Sequence, residues 1–295
     1  MVGNNSKSIL QTLAYADIFD YPLTRDEIWR FLISDKKTSQ KSVQKTLRGQ
    51  ISGVISRNGY YALLNRTHII HKRIKRGQYS KEKMHNAHKI CSYISFIPTV
   101  LLVGISGGLA MKNAGKADDI DFFIIAKKGT LWLTRLFTLI ILEFLKVRRK
   151  RLDTDVANKI CLNMLIDETS LCISSEKQNL YSAHEVVQMI PLFAREDTYK
   201  IFLDANMWVR KFLPNALIGI MNKESRIKGR KNSSFIIRYS LFTIEWVAKK
   251  VQLWHIEQHK TEEITQDNFL AFYPFGYHNK VLAQYRKRLA QYKIV

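Results

Sequence analysis

The chain has 295 residues, of which 46% are hydrophobic and 24% are charged, so a globular fold is expected and disorder is excluded as the default. Lysine and arginine number 47 against 25 aspartates and glutamates, which gives a formal net charge of +22 at pH 7. Such an excess of positive charge favours a polyanionic partner, either a nucleic acid or an anionic membrane surface.

A membrane partner is the weaker expectation. The longest apolar stretch, Leu131 to Leu145, contains Arg135 and Glu143 and is too short to cross a bilayer. The first residues show no cationic segment followed by an apolar one, so no secretory signal is predicted. The three cysteines form no CxxC pair, which fits a reducing compartment. We therefore predict a cytoplasmic protein with no membrane partner.

The first 65 residues predict three short helices followed by a β-hairpin. Ser8 to Phe19 carries apolar residues at helical spacing. Thr24 and Glu27 have the spacing of a capping box, in which each side chain bonds the other residue's backbone amide at the start of a second helix. Ser39 to Arg48 predicts the third helix, and Asn58-Gly59 suits the two positive φ angles of a tight hairpin turn.

This order of elements resembles a winged helix, whose third helix can enter a major groove. On that helix Val43 and Leu47 are expected to face inward, while Lys41 and Lys45 face outward. Winged helices also dock proteins, so nucleic-acid contact and protein contact both remain open for this unit. A basic helix is predicted to follow it, either solvated or lying along a phosphate backbone.

The segment after Pro98 carries the chemistry. Thr99 to Ile105 predicts a strand buried on both faces, and Gly107-Gly108 breaks it. Asp119 and Asp121 then begin a second strand, where residues two apart project from the same face. Two neighbouring carboxylates repel each other unless a cation such as a divalent metal lies between them. A turn of glycines in addition lets a triphosphate approach backbone amides.

The ordered string from Val103 through Gly107-Gly108 to Asp119-Ile120-Asp121 resembles the nucleotidyltransferase fold of the DNA polymerase beta superfamily. The resemblance implies that Asp119 and Asp121 ligate Mg²⁺ (or Mn²⁺) and that Gly107 and Gly108 bound the site of a nucleoside triphosphate. It also implies phosphate contacts from residues near the turn, for which the candidates are Ser106, Lys112 and Lys116.

The resemblance implies an α+β fold with a nucleotidyltransferase-type mixed sheet and flanking helices. A third strand is predicted from Lys159 to Ile166, and the chain from about Tyr181 is predicted to be wholly helical. The predicted division is therefore a winged-helix-like domain with its basic linker over 1–80, the nucleotidyltransferase core over 81–180 and a helical C-terminal domain over 181–295.

One position departs from the superfamily pattern, which usually includes a third carboxylate on a neighbouring strand. The strand from Lys159 to Ile166 offers Asn163, whose amide can ligate a metal but cannot act as a general base. Three alternatives stay open: Asn163 is a neutral ligand in a weaker catalyst, the domain binds nucleotides without turnover, or another acid replaces it. The candidates for that acid are Asp153, Asp155 and Asp167.

The function predicted first is magnesium-dependent transfer of a nucleoside monophosphate from an NTP to a nucleic acid, RNA such as tRNA ahead of DNA, with release of pyrophosphate. The alternative is a catalytically weak nucleotidyltransferase-like protein that binds nucleic acid or regulates through its winged helix. His184-Glu185 could face the nucleotide site, although capping or packing is the stronger expectation for it. The cations expected to hold the acceptor are Lys41, Lys45, Arg148, Arg149, Lys150, Arg151, Arg226, Lys228, Arg230 and Lys231.

Overall fold

The structure is a computed structural model that describes residues 4–218, 238–258, 264–272 and 276–294. It is an α+β fold, as predicted. The helices are α1 (Asn4–Asp17), α2 (Arg25–Arg30), α3 (Gln40–Arg48), α4 (His68–Ile94), α5 (Gly107–Ala110), α6 (Leu131–Phe144), α7 (Leu180–Gln188), α8 (Thr198–Ala205), α9 (Arg238–Glu257) and α10 (Tyr277–Gln291). The strands are β1 (Leu23–Thr24), β2 (Val54–Arg57), β3 (Tyr60–Leu63), β4 (Val100–Ile105), β5 (Ile120–Ala126), β6 (Ile160–Asp167), β7 (Ile190–Ala194), β8 (Ile264–Thr265) and β9 (Phe269–Ala271).

The N-terminal unit combines α1, α2 and α3 with a small antiparallel sheet in the order β1-β3-β2. The predicted capping box is confirmed, because the Glu27 amide donates to Thr24 Oγ1 at 3.3 Å and the Thr24 amide donates to Glu27 Oε2 at 2.8 Å. Asn58 and Gly59 have φ angles of 53° and 77°, which confirms the predicted hairpin turn. The capping box thus sets the start of α2, and the turn at Asn58-Gly59 sets the ends of β2 and β3.

The central sheet has the strand order β7-β4-β5-β6-β9-β8. Strands β5 and β6 are parallel and the other pairs are antiparallel, so the predicted mixed sheet is confirmed. A parallel pair needs a crossover connection, and α6 supplies it. All six residues of β4 are buried, as its unbroken apolar run predicted.

The prediction that the chain from Tyr181 is wholly helical is wrong. Strand β7 pairs with β4, strand β9 pairs with β6 and strand β8 pairs with β9, so the sheet draws three of its strands from that region. Pro191 lies within β7, which is an edge strand of the sheet. Proline is tolerated at an edge because the amide proton it lacks would point away from the neighbouring strand.

Helix α4 is not simply a solvated basic helix. Lys83 is 2% exposed, and its Nζ donates to Lys116 O at 3.1 Å, Asp118 O at 2.6 Å and Asn158 Oδ1 at 3.0 Å. A buried ammonium is stable only when such acceptors replace its water. Lys83 therefore ties together the loops that precede β5 and β6.

Among the described residues, no helix combines the length and apolarity that a membrane crossing requires.

The N-terminal unit and the C-terminal helix share one hydrophobic core. The Tyr15 ring of α1 stacks on the His184 ring of α7 with centroids 4.0 Å apart, and it meets the Tyr285 ring of α10 edge-on at 5.6 Å. Asp17, which is 2% exposed, forms an ion pair with Arg288, whose Nε lies 2.8 Å from Asp17 Oδ2. These contacts hold α7 against the N-terminal unit.

Candidate functional site

The two aspartates predicted as metal ligands lie together at the start of β5. Asp119 immediately precedes the strand and Asp121 is its second residue. The parallel register of β5 and β6 sets Asp121 opposite Cys161. One carboxylate oxygen from each aspartate and Cys161 Sγ all lie within 4.8 Å of one another. The cluster is half-buried and includes a thiol that the sequence analysis did not assign to it.

The turn between β4 and α5 lies directly over Asp121. Gly107 has a φ of 63°, and a Cβ atom placed there would lie 2.8 Å from Asp121 Oδ2. A side chain at Gly107 would therefore collide with the carboxylate. The Ser106 amide donates to the Asp121 carbonyl at 3.1 Å, which fixes the turn to β5. Gly108 is less constrained, because its added Cβ would make ordinary contacts.

Asn163 lies further along β6 than the cluster. Its Nδ2 donates to Ser106 Oγ at 3.4 Å, beside the glycine turn. In the register between β5 and β6 Cys161 stands opposite Asp121, and the register shifts only after Phe122, so Asn163 stands opposite neither aspartate. Residues two apart on a strand share a face, so the sequence could have indicated that Cys161 lies on the same face of β6 as Asn163. Lys112 and Lys116 are exposed on the loop that follows α5.

None of the alternative aspartates belongs to the cluster. Asp153 forms an ion pair with Lys159 Nζ at 2.9 Å, and Asp155 accepts from the Ala157 amide at 3.1 Å. Asp167 ends β6, opposite Ala126, and accepts from Thr169 Oγ1 at 2.6 Å. These three carboxylates therefore make their contacts outside the cluster.

Glu185 is the further acid that faces the site. It lies on α7, half-buried, and interacts electrostatically with Asp121. Burial and then the charge of Asp121 raise the pKa of Glu185 to about 7. The sequence favoured capping or packing for His184-Glu185, and His184 does pack, since it is 3% exposed and stacks on Tyr15. No local pattern indicated that Glu185 approaches β5.

The cluster carries more negative charge than its surroundings easily hold. Burial, and then repulsion by Asp119, raise the pKa of Asp121 to about 7. Arg149 opposes this shift, because its Nη1 donates to Asp119 Oδ2 in an ion pair. Its charge also acts on Cys161, where it opposes the rise in the thiol pKa that burial causes. The Arg149 guanidinium therefore neutralises part of the negative charge of the cluster. A divalent cation is suited to bind the same carboxylate oxygens.

The raised pKa of Asp121 predicts that metal binding depends on pH. A cation must displace any proton held by Asp121, so the affinity for Mn²⁺ is expected to fall below pH 7 by about tenfold per pH unit for the proton displaced. Above about pH 8 the affinity should be constant. Titration of Mn²⁺ followed by electron paramagnetic resonance between pH 5.5 and 8.5 checks this, and a flat profile would contradict the raised pKa of Asp121.

Arg149 is expected to compete with the metal for Asp119. Replacing it by methionine keeps the aliphatic stem and removes the guanidinium, so Mn²⁺ affinity should rise about fivefold, the value of a partly exposed ion pair. Lys150→Met is the matched control, because Lys150 pairs with Glu143 outside the cluster. Equal affinities of the two variants would show that Arg149 does not occupy the metal position.

The other predicted acceptor-binding cations divide into three groups. Lys41 and Lys45 are exposed on α3. Arg148 and Lys150 pair with Glu143 and, together with Lys146 and Lys159, line a cleft near Arg149. Arg151 is exposed at the same edge. The third group lies outside the described residues and comprises Arg226, Lys228, Arg230 and Lys231.

Comparison of the chain with protein families, with curated proteins and with solved structures finds no match, so its function has to be argued from the geometry of this site.

Proposed function

We propose that this chain is a magnesium-dependent nucleotidyltransferase that moves a nucleoside monophosphate from an NTP to a nucleic acid, RNA such as tRNA ahead of DNA, and releases pyrophosphate. The observation that carries the proposal is the pair Asp119 and Asp121 beneath the side-chain-free turn at Gly107. Strand, glycine turn and paired carboxylates are the parts on which the resemblance to the DNA polymerase beta superfamily rests.

The residues of the site divide the chemistry among them. Asp119 and Asp121 would hold Mg²⁺ or Mn²⁺, which supplies charge neutralisation for the triphosphate and the departing pyrophosphate. Gly107 lets the backbone of the turn lie against Asp121, and the triphosphate would bind to the backbone amides of this turn. Glu185 would accept the proton of the attacking hydroxyl, since a pKa near 7 suits proton transfer at neutral pH. It would thereby replace the third carboxylate, which β6 does not supply to the cluster.

The acceptor would lie along the basic edge of the molecule. Next to Arg149 in sequence, a cleft is lined by Lys146, Arg148, Lys150 and Lys159 together with Glu143 and Asp153, and the net charge of +22 favours phosphate contacts. The N-terminal unit is proposed to be a winged helix that adds Lys41 and Lys45 to this surface. Binding should weaken steeply with salt, and a flat salt dependence would remove the polyanion from the proposal.

Labelled nucleotide transfer tests the proposal. Each α-labelled NTP is incubated with Mg²⁺ or Mn²⁺ and with total RNA, purified tRNA, DNA or no acceptor. The control is the Asp119→Ala, Asp121→Ala double variant purified in parallel, which separates this activity from contaminants. Label that requires both aspartates supports the transferase and names its acceptor, whereas absence of label with every acceptor overturns it.

A second candidate function is a nucleotidyltransferase-like module that binds nucleic acid without transfer. The ion pair between Arg149 and Asp119, together with Cys161 and Asn163 in place of a third carboxylate on β6, favours it. The same double variant discriminates the two functions. Equal, salt-dependent binding of nucleic acid by parent and variant, with no transfer by either, would support the binding module.

A further inference from the structure

The third ligand position of the cluster is held by sulfur. Cys161 is half-buried on β6, and its Sγ lies within 4.8 Å of a carboxylate oxygen of both Asp119 and Asp121. Magnesium takes oxygen ligands, whereas a thiolate combined with carboxylates suits zinc and its heavier analogue cadmium. The site therefore offers two different ligand sets to two classes of cation.

We propose that Asp119, Asp121 and Cys161 bind a thiophilic divalent cation, zinc in the first place, in the absence of nucleotide. This inference deepens the proposed function and rests on it for one consequence, which is that zinc excludes magnesium from the two aspartates and inhibits transfer. On binding, the S–H bond of Cys161 breaks, a sulfur–metal bond forms and one proton passes to the solvent.

The backbone fixes the three residues relative to one another. Asp121 and Cys161 face each other across the parallel β5–β6 pair, where strands lie about 4.8 Å apart. Asp119 lies two residues before Asp121 on the same face. Three protein ligands leave the fourth position of a tetrahedral zinc site open to water.

Arg149 supplies an independent indication that a cation belongs at these atoms. Its guanidinium donates to Asp119 Oδ2 and acts electrostatically on Cys161, so it already places positive charge beside two of the three ligand residues. The side chain is 42% exposed, which leaves it free to swing into solvent when a metal ion replaces it.

The two cation classes should differ in their need for nucleotide. Magnesium is usually bound through one or two carboxylates together with substrate phosphates, so its binding here should be weak until an NTP arrives. Zinc gains the thiolate and needs no phosphate. Zinc would thus occupy the cluster in the nucleotide-free protein, and a nucleotide together with magnesium would have to displace it.

Cadmium is the probe that tests the site. Cd²⁺ is added to the tag-free full chain without nucleotide, and the ultraviolet sulfur-to-cadmium charge-transfer band is recorded. The band is expected in the parent and in Cys172→Ser, whose cysteine is exposed outside the cluster, and is expected to vanish in Cys161→Ser. Affinity should fall at least about tenfold in Cys161→Ser, since even loss of an outer-shell partner costs that much. Added Zn²⁺ should remove the band from the parent.

A parent protein without the band, or a band that persists in Cys161→Ser, overturns the proposal. A second measurement needs no variant: Zn²⁺ should protect Cys161 of the parent from iodoacetamide, as read by peptide mass spectrometry, and unchanged alkylation also overturns it. Both measurements omit nucleotide. Cadmium binding without nucleotide transfer would therefore support the metal site and reject the transferase, whereas transfer without cadmium binding would do the reverse.

Discussion

Replacing Asp121 by asparagine is expected to lower magnesium-dependent nucleotide transfer by a factor of about 10³ or more. The substitution keeps the shape of the side chain and removes one charge from the metal site, where metal stabilisation of the transition state is worth several kcal/mol. The fold should not suffer, because the raised pKa of Asp121 shows that its charge is unfavourable where it lies. Rate and thermal stability are measured on the same preparation.

The matched control for Asp121→Asn is Asp204→Asn. Asp204 is exposed on α8 and pairs with Lys200, so its substitution makes the same chemical change outside the site. It should leave the transfer rate within about twofold of the parent. A variant at Asp121 that retains transfer while remaining folded would contradict the assignment of Asp121 as a metal ligand.

Replacing Lys83 by methionine is expected to lower the free energy of unfolding by about 3 kcal/mol, because three oxygen acceptors lose their partner in a buried position. Two of these acceptors are the carbonyls of Lys116 and Asp118, which lie in the loop that leads into Asp119. The affinity for Mn²⁺ should therefore fall together with stability. Denaturant unfolding and metal titration measure the two effects.

Lys81→Met is the control for Lys83→Met, because Lys81 is exposed on the same helix two residues away. The two variants have the same composition and differ in which lysine is lost. If their unfolding free energies agree within about 0.5 kcal/mol, Lys83 does not hold the loops before β5 and β6.

Features that depend on neighbouring residues could be predicted from the sequence. The capping box of Thr24 and Glu27 and the turn at Asn58-Gly59 each follow from local hydrogen bonds or dihedral angles. The shared face of Asp119 and Asp121 follows from strand geometry alone. The metal-ligand pair was therefore accessible without a structure.

Features that depend on register or on distant packing could not be predicted in the same way. Cys161 lies opposite Asp121 because of the parallel register of β5 and β6, and no local sequence pattern sets that register. Glu185 approaches Asp121 from another element, and Lys83 is buried by loops far along the chain. A helical interpretation of Leu192 and Phe193 likewise failed because pairing with β4 decided their conformation.

The shared core of α1 and α10 has a consequence for synthesis on the ribosome. Residues of α1 such as Tyr15 and Asp17 find their partners in Tyr285 and Arg288, which are made some 270 residues later. The part of α1 that packs against α10 therefore stays exposed while the rest of the chain is translated. At about 5–20 residues per second this interval lasts on the order of tens of seconds. During that time the nascent N-terminal unit is expected to be a substrate for chaperones that bind apolar helices.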